Sequence, residues 1–586
     1  MEIHERLDAL RKEMEKEGID VYYFNTSDYH MSEYVPEYFR TIAYFSGFRG
    51  SLATLLVDMQ KAVLFVDGRY HLQADQQSGI YGIEIVKLGN PGALSPLDYL
   101  SEHYAGKRLG IDGKRTSLAF AKELQRRKIS FVSRDIYSSL ITDRAPFPAS
   151  KAHFMPEEYT GKSRREKLRE VFYCLGGKTH IINSPEAVCY LLNIRGNDIV
   201  HTPVILSYLV LTDNEAYLFA DLERFDEEML DELYADGVII RPYDSYYSFL
   251  SNLSGRKILL DENKVNYETW ASIKALNRIY PMRSVVDDMK SIKNPVEQEG
   301  FRRAHIYDGV TMLRFIKWLK ETDLSTYTEY DVAMKLDSMR RAYHADDISF
   351  TSIVGYNENA AVVHYAPEEG KAKKLENRGI LLVDSGGQYP EGTTDITRTI
   401  AIGDVDPEMR VCFTAVLKAM LNISGLTFLK GTTGRDIDIL ARKELWERGL
   451  NYLHGTGHGV GHVLSVHEGP PSIRSGGAYG GNECVPFREG NVVSDEPGVY
   501  LSGKYGFRCE NLLLVQKKEV TEWGTFLHFE TLTLVPFDLD LVDRSCLDEA
   551  SVRALNAYHK RVRETISPYL NDEERDFLNW ITREIV

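Results

Sequence analysis

The stretch Gly379-Ile380-Leu381-Leu382-Val383-Asp384-Ser385-Gly386-Gly387-Gln388-Tyr389-Pro390-Glu391-Gly392-Thr393-Thr394-Asp395-Ile396-Thr397-Arg398-Thr399 opens as a buried strand ending in a carboxylate. Tyr389-Pro390-Glu391-Gly392 has the composition of a turn, and the chain returns through Asp395 and Thr397. In such a hairpin Asp384 and Asp395 sit on one face as neighbours. Two buried carboxylates side by side repel by about 4 kcal/mol at an effective dielectric near 20, so something cationic must offset them. Standing alone, an aspartate at each hairpin end reads equally well as a cap or turn residue.

These two do not stand alone. Val492-Val493-Ser494-Asp495-Glu496-Pro497-Gly498 is another strand ending in acid, and Phe507-Arg508-Cys509-Glu510-Asn511-Leu512 places Glu510 mid-strand, on the face of Arg508 and Leu512 by the period of two. Between them lies His454-Gly455-Thr456-Gly457-His458-Gly459-Val460-Gly461-His462, with His467-Glu468-Gly469-Pro470 just after. Dense glycine lets the backbone approach closely and frees the imidazoles from crowding. A lone histidine is more often structural; three at intervals of four with a fourth nearby point to a site. Four carboxylates and one neutral imidazole are balanced by two divalent ions. The oxygen-rich set suits a hard ion such as Mn²⁺ and differs from the His/Cys sets of structural zinc. Two such ions about 3.5–4 Å apart can hold a water, lower its pKa and polarise a carbonyl, which is machinery for hydrolysis.

Working outward, 586 residues exceed what one core supports and imply three or four domains of about 150 residues. With 43% hydrophobic and 27% charged residues, the balance is that of a soluble globular protein, neither disordered nor membrane-embedded. The net charge of −16 disfavours nucleic acid and anionic membranes as partners without identifying a substrate. Six cysteines show no paired spacing, so neither a disulfide framework nor a thiolate metal site is expected. The N-terminus goes straight into a charged helical pattern and no later run approaches about 18 apolar residues, so the expected location is cytoplasmic.

An α/β (α+β) class follows from helical spacing over 4–18 and strand-like runs at 19–24, 51–57, 61–66 and 108–112, with a helix at 69–76. Arg144–Ser163, rich in proline and polar residues, has the composition of a linker. A second unit repeats the order: helix 164–175, strand 179–183, helix 185–193 and strands at 204–211 and 216–219, so a degenerate duplication stands beside two unrelated α/β domains. Asn294-Pro295-Val296-Glu297 offers an N-cap, a first-position proline and an acidic first turn, which opens a helix and a third domain. The expected division is 1–143, 144–293, 294–530 and a C-terminal extension, 531–586, carrying two helices and packing on the third domain.

The motifs HYAP (364–367), VDSGGQYPEGTTDITRT (383–399), HGTGHGVGH (454–462), VHEGP (466–470), SDEPGVY (494–500) and FRCEN (507–511) together resemble those of the pita-bread metallopeptidases. Phe45-Ser46-Gly47-Phe48-Arg49-Gly50-Ser51, Asp67-Gly68-Arg69-Tyr70 and Thr531–Phe537 extend the likeness over nearly the whole chain, most weakly in 145–290. Within the family it is similar to the long, three-domain cytosolic branch that cleaves Xaa-Pro bonds, the aminopeptidase P type. The resemblance implies two creatinase-like N-terminal α/β domains before a pita-bread catalytic domain. It also implies release of a free N-terminal residue preceding proline, a hydroxide bridged by two divalent ions, best suited by Mn²⁺, and a homodimer. By position it implies Asp395 and Glu510 as ligands of both ions, Asp384 of one, and His458 with Glu496 of the other, Glu496 also taking the proton from water. His364 and His467 resemble residues that orient substrate and stabilise the tetrahedral intermediate, and His454 one that lines the pocket. Arg508 pairs with a ligand carboxylate. Arg69 resembles a residue reaching the far end of longer peptides, against the plainer reading of a strand-end ion pair. His462 matches no role and reads as a local hydrogen-bonding residue. Prolidase is the nearer rival activity, and a catalytically dead binding module the more distant one.

Overall fold

Helix Ile3–Glu17 forms where Leu7, Leu10 and Met14 fall on one face, and all three are buried. Gly18, at φ 63°, stops it in a left-handed cap and turns the chain into strand Val21–Asn25. The structure, a computed structural model, describes residues 2–476 and 481–586. Residues through Glu157 together with Lys162–Asp288 form one compact unit; Glu158–Gly161 with Met289–Val586 form another.

The first unit holds two six-stranded sheets. In one, Val21–Asn25 runs antiparallel to Thr54–Asp58 and parallel to Leu109–Ile111. Ala62–Val66 and then Glu84–Lys87 extend one edge, and Phe131–Ser133 the other. In the second sheet Thr179–Ile182 takes the central place, antiparallel to Tyr208–Thr212 and parallel to Lys257–Leu260. Glu215–Phe219, Val238–Arg241 and Arg278–Pro281 complete it. Order and sense match strand for strand, as an internal duplication requires. One expected strand is shorter than its apolar run: Val204–Ser207 are buried but irregular, and pairing begins at Tyr208. Asp198 satisfies that backbone instead, accepting from Leu206 N at 2.7 Å while its own N–H donates to Val204 O at 3.0 Å. The proline-rich segment carries a two-residue strand, His153–Phe154, paired with Ile194–Arg195.

In the second unit, helix Pro295–Glu321 starts as its sequence dictates. Asn294 Oδ1 accepts from the N–H groups of Val296 and Glu297, and Glu297 reaches back to Asn294 N at 2.9 Å. Its Leu313 and Ile316 share a core with Ile566 and Leu578 of the C-terminal helices Glu549–Ile566 and Asp572–Ile581. Arg314 pairs with Glu574 at 2.8 Å on the same side. A three-stranded antiparallel sheet centres on Ile380–Ser385, flanked by Ile353–Tyr356 and Ile396–Ala401. A six-stranded sheet runs in the order Thr427–Leu429, Gly524–Thr531, Asn511–Thr521, Val492–Asp495, Gly457–Gly459, Glu468–Ile473. Among the described residues all six cysteines are free thiols, and no helix is long and apolar enough to cross a membrane.

Candidate metal centre and active site

Asp384 lies in strand Ile380–Ser385 directly across from Thr397, and Asp395 immediately precedes strand Ile396–Ala401. The two carboxylates are thus diagonal neighbours on one face, with the hairpin turning at Pro390-Glu391 between the paired residues Tyr389 and Gly392. Glu496 follows strand Val492–Asp495, its N–H held by Thr456 O at 2.8 Å. Glu510 corrects the sequence reading: it is not mid-strand but sits in the break between Tyr505–Arg508 and Asn511–Thr521. There Cys509 N and Glu510 N leave the ladder to donate to Pro497 O and Thr397 O. Arg508 and Glu510 still converge, because Arg508 Nε donates to Thr397 Oγ1 at 3.0 Å and Thr397 Oγ1 donates to Glu510 Oε2 at 2.8 Å.

His458 is carried by the short strand Gly457–Gly459. A Cβ at Gly457 would lie 1.9 Å from Ser494 O, and one at Gly459 2.3 Å from Glu468 O, so only glycine lets this strand slot between its neighbours. His458 Nδ1 lies 2.9 Å from Gly459 O and donates to it, which turns Nε2 toward the carboxylates. That nitrogen is 3.4 Å from Asp395 Oδ2 and 3.4 Å from Glu496 Oε1. Ligand atoms of Asp395, His458 and Glu510 all lie within 4.8 Å of one another.

Four largely buried carboxylates face one guanidinium here, and Asp384, Glu496 and Glu510 register the imbalance in their protonation. Burial pushes Glu510 well above the ordinary carboxylate range, and the charges of Asp395, Glu496 and Asp384 push the same way. Burial raises Asp384 too, with Arg508 pulling it back. Glu496 is raised to about 7, chiefly by burial against the opposing pull of His458 and Arg508. Burial disfavours a charged His458, but the Asp395 hydrogen bond and the Glu496 charge outweigh it and lift the imidazole to about 9. Among the described residues, Asp384 Oδ1 and Glu510 Oε1 are buried with no hydrogen-bond partner. Unpaired buried carboxylate oxygens are costly, and divalent cations would satisfy both them and the charge. The donor set therefore fits metal ions.

Around this cluster Arg508 donates to Asp384 through Nη2 and to Tyr500 OH through Nη1 at 2.7 Å. Tyr500 OH in turn lies 2.9 Å from His454 Nε2. The His467 ring sits edge-on to His458, with centroids 4.3 Å apart. His364 is adjacent to Val363, whose carbonyl accepts from Arg508 Nη2 at 3.5 Å. His462 turns elsewhere, pairing with Glu391 O at 2.8 Å and packing on Phe301, which is the local role expected of it. Arg69 belongs to the first unit, where it forks onto Asp67 at 3.0 and 2.7 Å.

Sequence reasoning passed over Thr397 and Tyr500. Thr397 lies two residues beyond Asp395, so the strand period already put it on the same face. Also missed were two buried supports. Asp438 accepts from Arg442 Nε at 2.6 Å and from Thr456 Oγ1, while Arg442 Nη2 donates to His454 O at 3.0 Å. Glu468, next to His467, is clamped by Lys290 at 2.8 Å and Lys293 at 2.6 Å, all three buried. The Asp438/Arg442 spacing of four was the one available signal for the first.

Residues 299–517 match the model of metallopeptidase family M24, and 525–585 match the C-terminal region of the M24 peptidases. Residues 6–135 and 143–297 each match a creatinase/prolidase N-terminal domain. A probable Xaa-Pro aminopeptidase P of Pyricularia oryzae is 36% identical over 613 residues, covering 99% of this chain and 98% of that one. One from Aspergillus flavus is 34% identical, covering 99% and 92%. The crystal structure of an X-prolyl aminopeptidase from Caenorhabditis elegans, described as a cytosolic enzyme with a di-nuclear active site, superposes with a TM-score of 0.94 at 31% identity over 100% of both chains.

Proposed function

The chain belongs to metallopeptidase family M24, in its Xaa-Pro aminopeptidase P branch, and from that premise we propose that it hydrolyses the bond between a free N-terminal residue and a following proline with two divalent ions. The observation that carries the reading is the convergence of Asp384, Asp395, Glu496, Glu510 and His458, with carboxylate oxygens left unpaired inside the protein. Asp395 and Glu510 would hold both ions, Asp384 one, and His458 with Glu496 the other. Mn²⁺ is the ion this oxygen-rich set favours. Bound ions supply Lewis acidity toward the substrate carbonyl and acidify the attacking water.

The chain's own groups do the rest. Glu496 takes the proton from the attacking water and returns it to the departing nitrogen. That return is needed because the proline ring nitrogen, the nitrogen of a tertiary amide, would otherwise have to leave as an amide anion. His364 and His467 orient the scissile carbonyl and stabilise the oxyanion, His454 lines the pocket with Tyr500, and Arg508 fixes Asp384. The positive α-amino group of the substrate is drawn to the acidic cluster, and the compact proline ring is read by shape. Removing metal with a chelator should abolish cleavage of a tetrapeptide with proline second, and Mn²⁺ should restore it; cleavage that survives full metal removal would sink the reading.

The same premise supports the four-part division at 143, 293 and 530, a cytoplasmic location and a homodimer. It also supports contact between Arg69 and the far end of longer peptides. Arg69→Ala should then slow longer peptides while sparing tripeptides; equal effects on both, or none, would leave Arg69 as the partner of Asp67 alone.

A further inference from the structure

Glu329 is the first residue of helix Glu329–Arg341, yet that helix does not need its carboxylate. Thr328 caps the helix and Asp331 reaches back to the Thr328 N–H, which completes the capping box. The Glu329 side chain, in a residue with 0% of its surface exposed, instead gathers donors from the end of strand Ile353–Tyr356 and the segment beyond it. Oε1 accepts from Tyr356 N at 2.7 Å and Asn359 Nδ2 at 3.0 Å. Oε2 accepts from Tyr365 OH at 2.6 Å and Lys373 N at 2.9 Å. The Glu329 N–H donates to Lys373 O at 2.9 Å, closing the segment at its far end.

His364 lies within this segment, between two tethered neighbours. Val363 O is held by Arg508, the same guanidinium that binds Asp384, Thr397 and Tyr500. Tyr365 is held by Glu329. We propose that Glu329 is a positioning residue for His364: its buried carboxylate fixes residues 356–373 so that His364 stands at the metal cluster when substrate arrives. The inference rests on the peptidase reading and deepens it, assigning a role to a residue that touches neither ion nor substrate. A glutamine at 329 keeps the shape but offers one acceptor oxygen where the segment uses two, so buried donors lose their partner.

The test is a double-mutant cycle on the metal-loaded full chain, using one Xaa-Pro peptide and reading kcat, KM and bound metal. Glu329→Gln should lower kcat by about 10- to 100-fold with metal content unchanged, the scale for residues that orient functional groups. Tyr365→Phe, which removes a single hydrogen bond and no charge, should lower it in the same direction by less. On a His364→Ala background both substitutions should cost under about 2-fold, because a residue acting through His364 has nothing left to position. Full additional losses on that background, loss of metal from Tyr365→Phe, or single variants with unchanged kcat would each overturn the inference. Should Glu329→Gln fail to fold, the Tyr365→Phe cycle decides it alone. A wild-type chain inactive on the peptide would overturn the peptidase reading itself, a distinct result.

Discussion

Asp395→Ala and Glu510→Ala should each reduce bound metal at both positions and abolish turnover. Asp395 lies within reach of His458 Nε2 on one side and, as a diagonal neighbour across the hairpin, of Asp384 on the other. Glu510 has one oxygen fixed by Thr397 and the second buried without a hydrogen-bond partner. Removing either carboxylate takes a negative charge from the middle of the set, so the remaining ligands cannot balance two divalent ions in a buried site, where an uncompensated charge costs several kcal/mol. His364→Ala and His467→Ala provide the contrast. Neither side chain balances the carboxylates, so both variants should keep two ions per chain while turnover falls to a small residual rate. Elemental analysis of the purified variants reads this directly: two ions in Asp395→Ala or Glu510→Ala, or one in His467→Ala, would contradict the division between ligands and substrate-orienting residues.

Glu496→Gln should lower kcat by at least about 10²-fold, the scale of a lost general base. The carboxylate is well placed for that work. It lies at the end of a strand with its backbone fixed by Thr456, and its Oε1 stands 3.4 Å from His458 Nε2 inside the cluster. Glutamine preserves volume and one oxygen for an ion but cannot take a proton. A near wild-type rate in a variant with full metal content would assign the proton to another group.

How much of this was legible in the sequence depends on what kind of interaction fixed each part. The start of the third domain's first helix was legible because capping is local: Asn294 with Glu297 announces it within four residues. The hairpin between Asp384 and Asp395 was legible because period-two alternation and a Pro-Glu turn are also local. The segment Val204–Ser207 was not, because an apolar run reads the same whether its backbone joins a ladder or is satisfied by a side chain such as Asp198. Glu510 was assigned its correct face but the wrong setting: the interruption after Arg508 depends on Pro497 O and Thr397 O, acceptors that lie in other segments of the chain. Glu329 and Thr397 escaped for a related reason. Their partners lie far along the chain, and neither residue type stands out where it occurs.

The central claim is what the site cuts, and four matched peptides followed by mass spectrometry test it most directly. The first is Xaa-Pro-Xaa-Xaa with a free amine; the others carry an acetylated N-terminus, alanine in place of the second-position proline, or an amidated C-terminus. A positive α-amino group held near acidic ligands and a rigid ring with fixed φ are the features the pocket is proposed to read, whereas nothing in the reading calls on the C-terminal carboxylate. The account predicts release of the first residue from the free and the amidated peptides, and strong loss with the acetylated and the alanine peptides. Efficient cleavage of either of the latter two, or a requirement for a dipeptide with its free carboxylate, would contradict it.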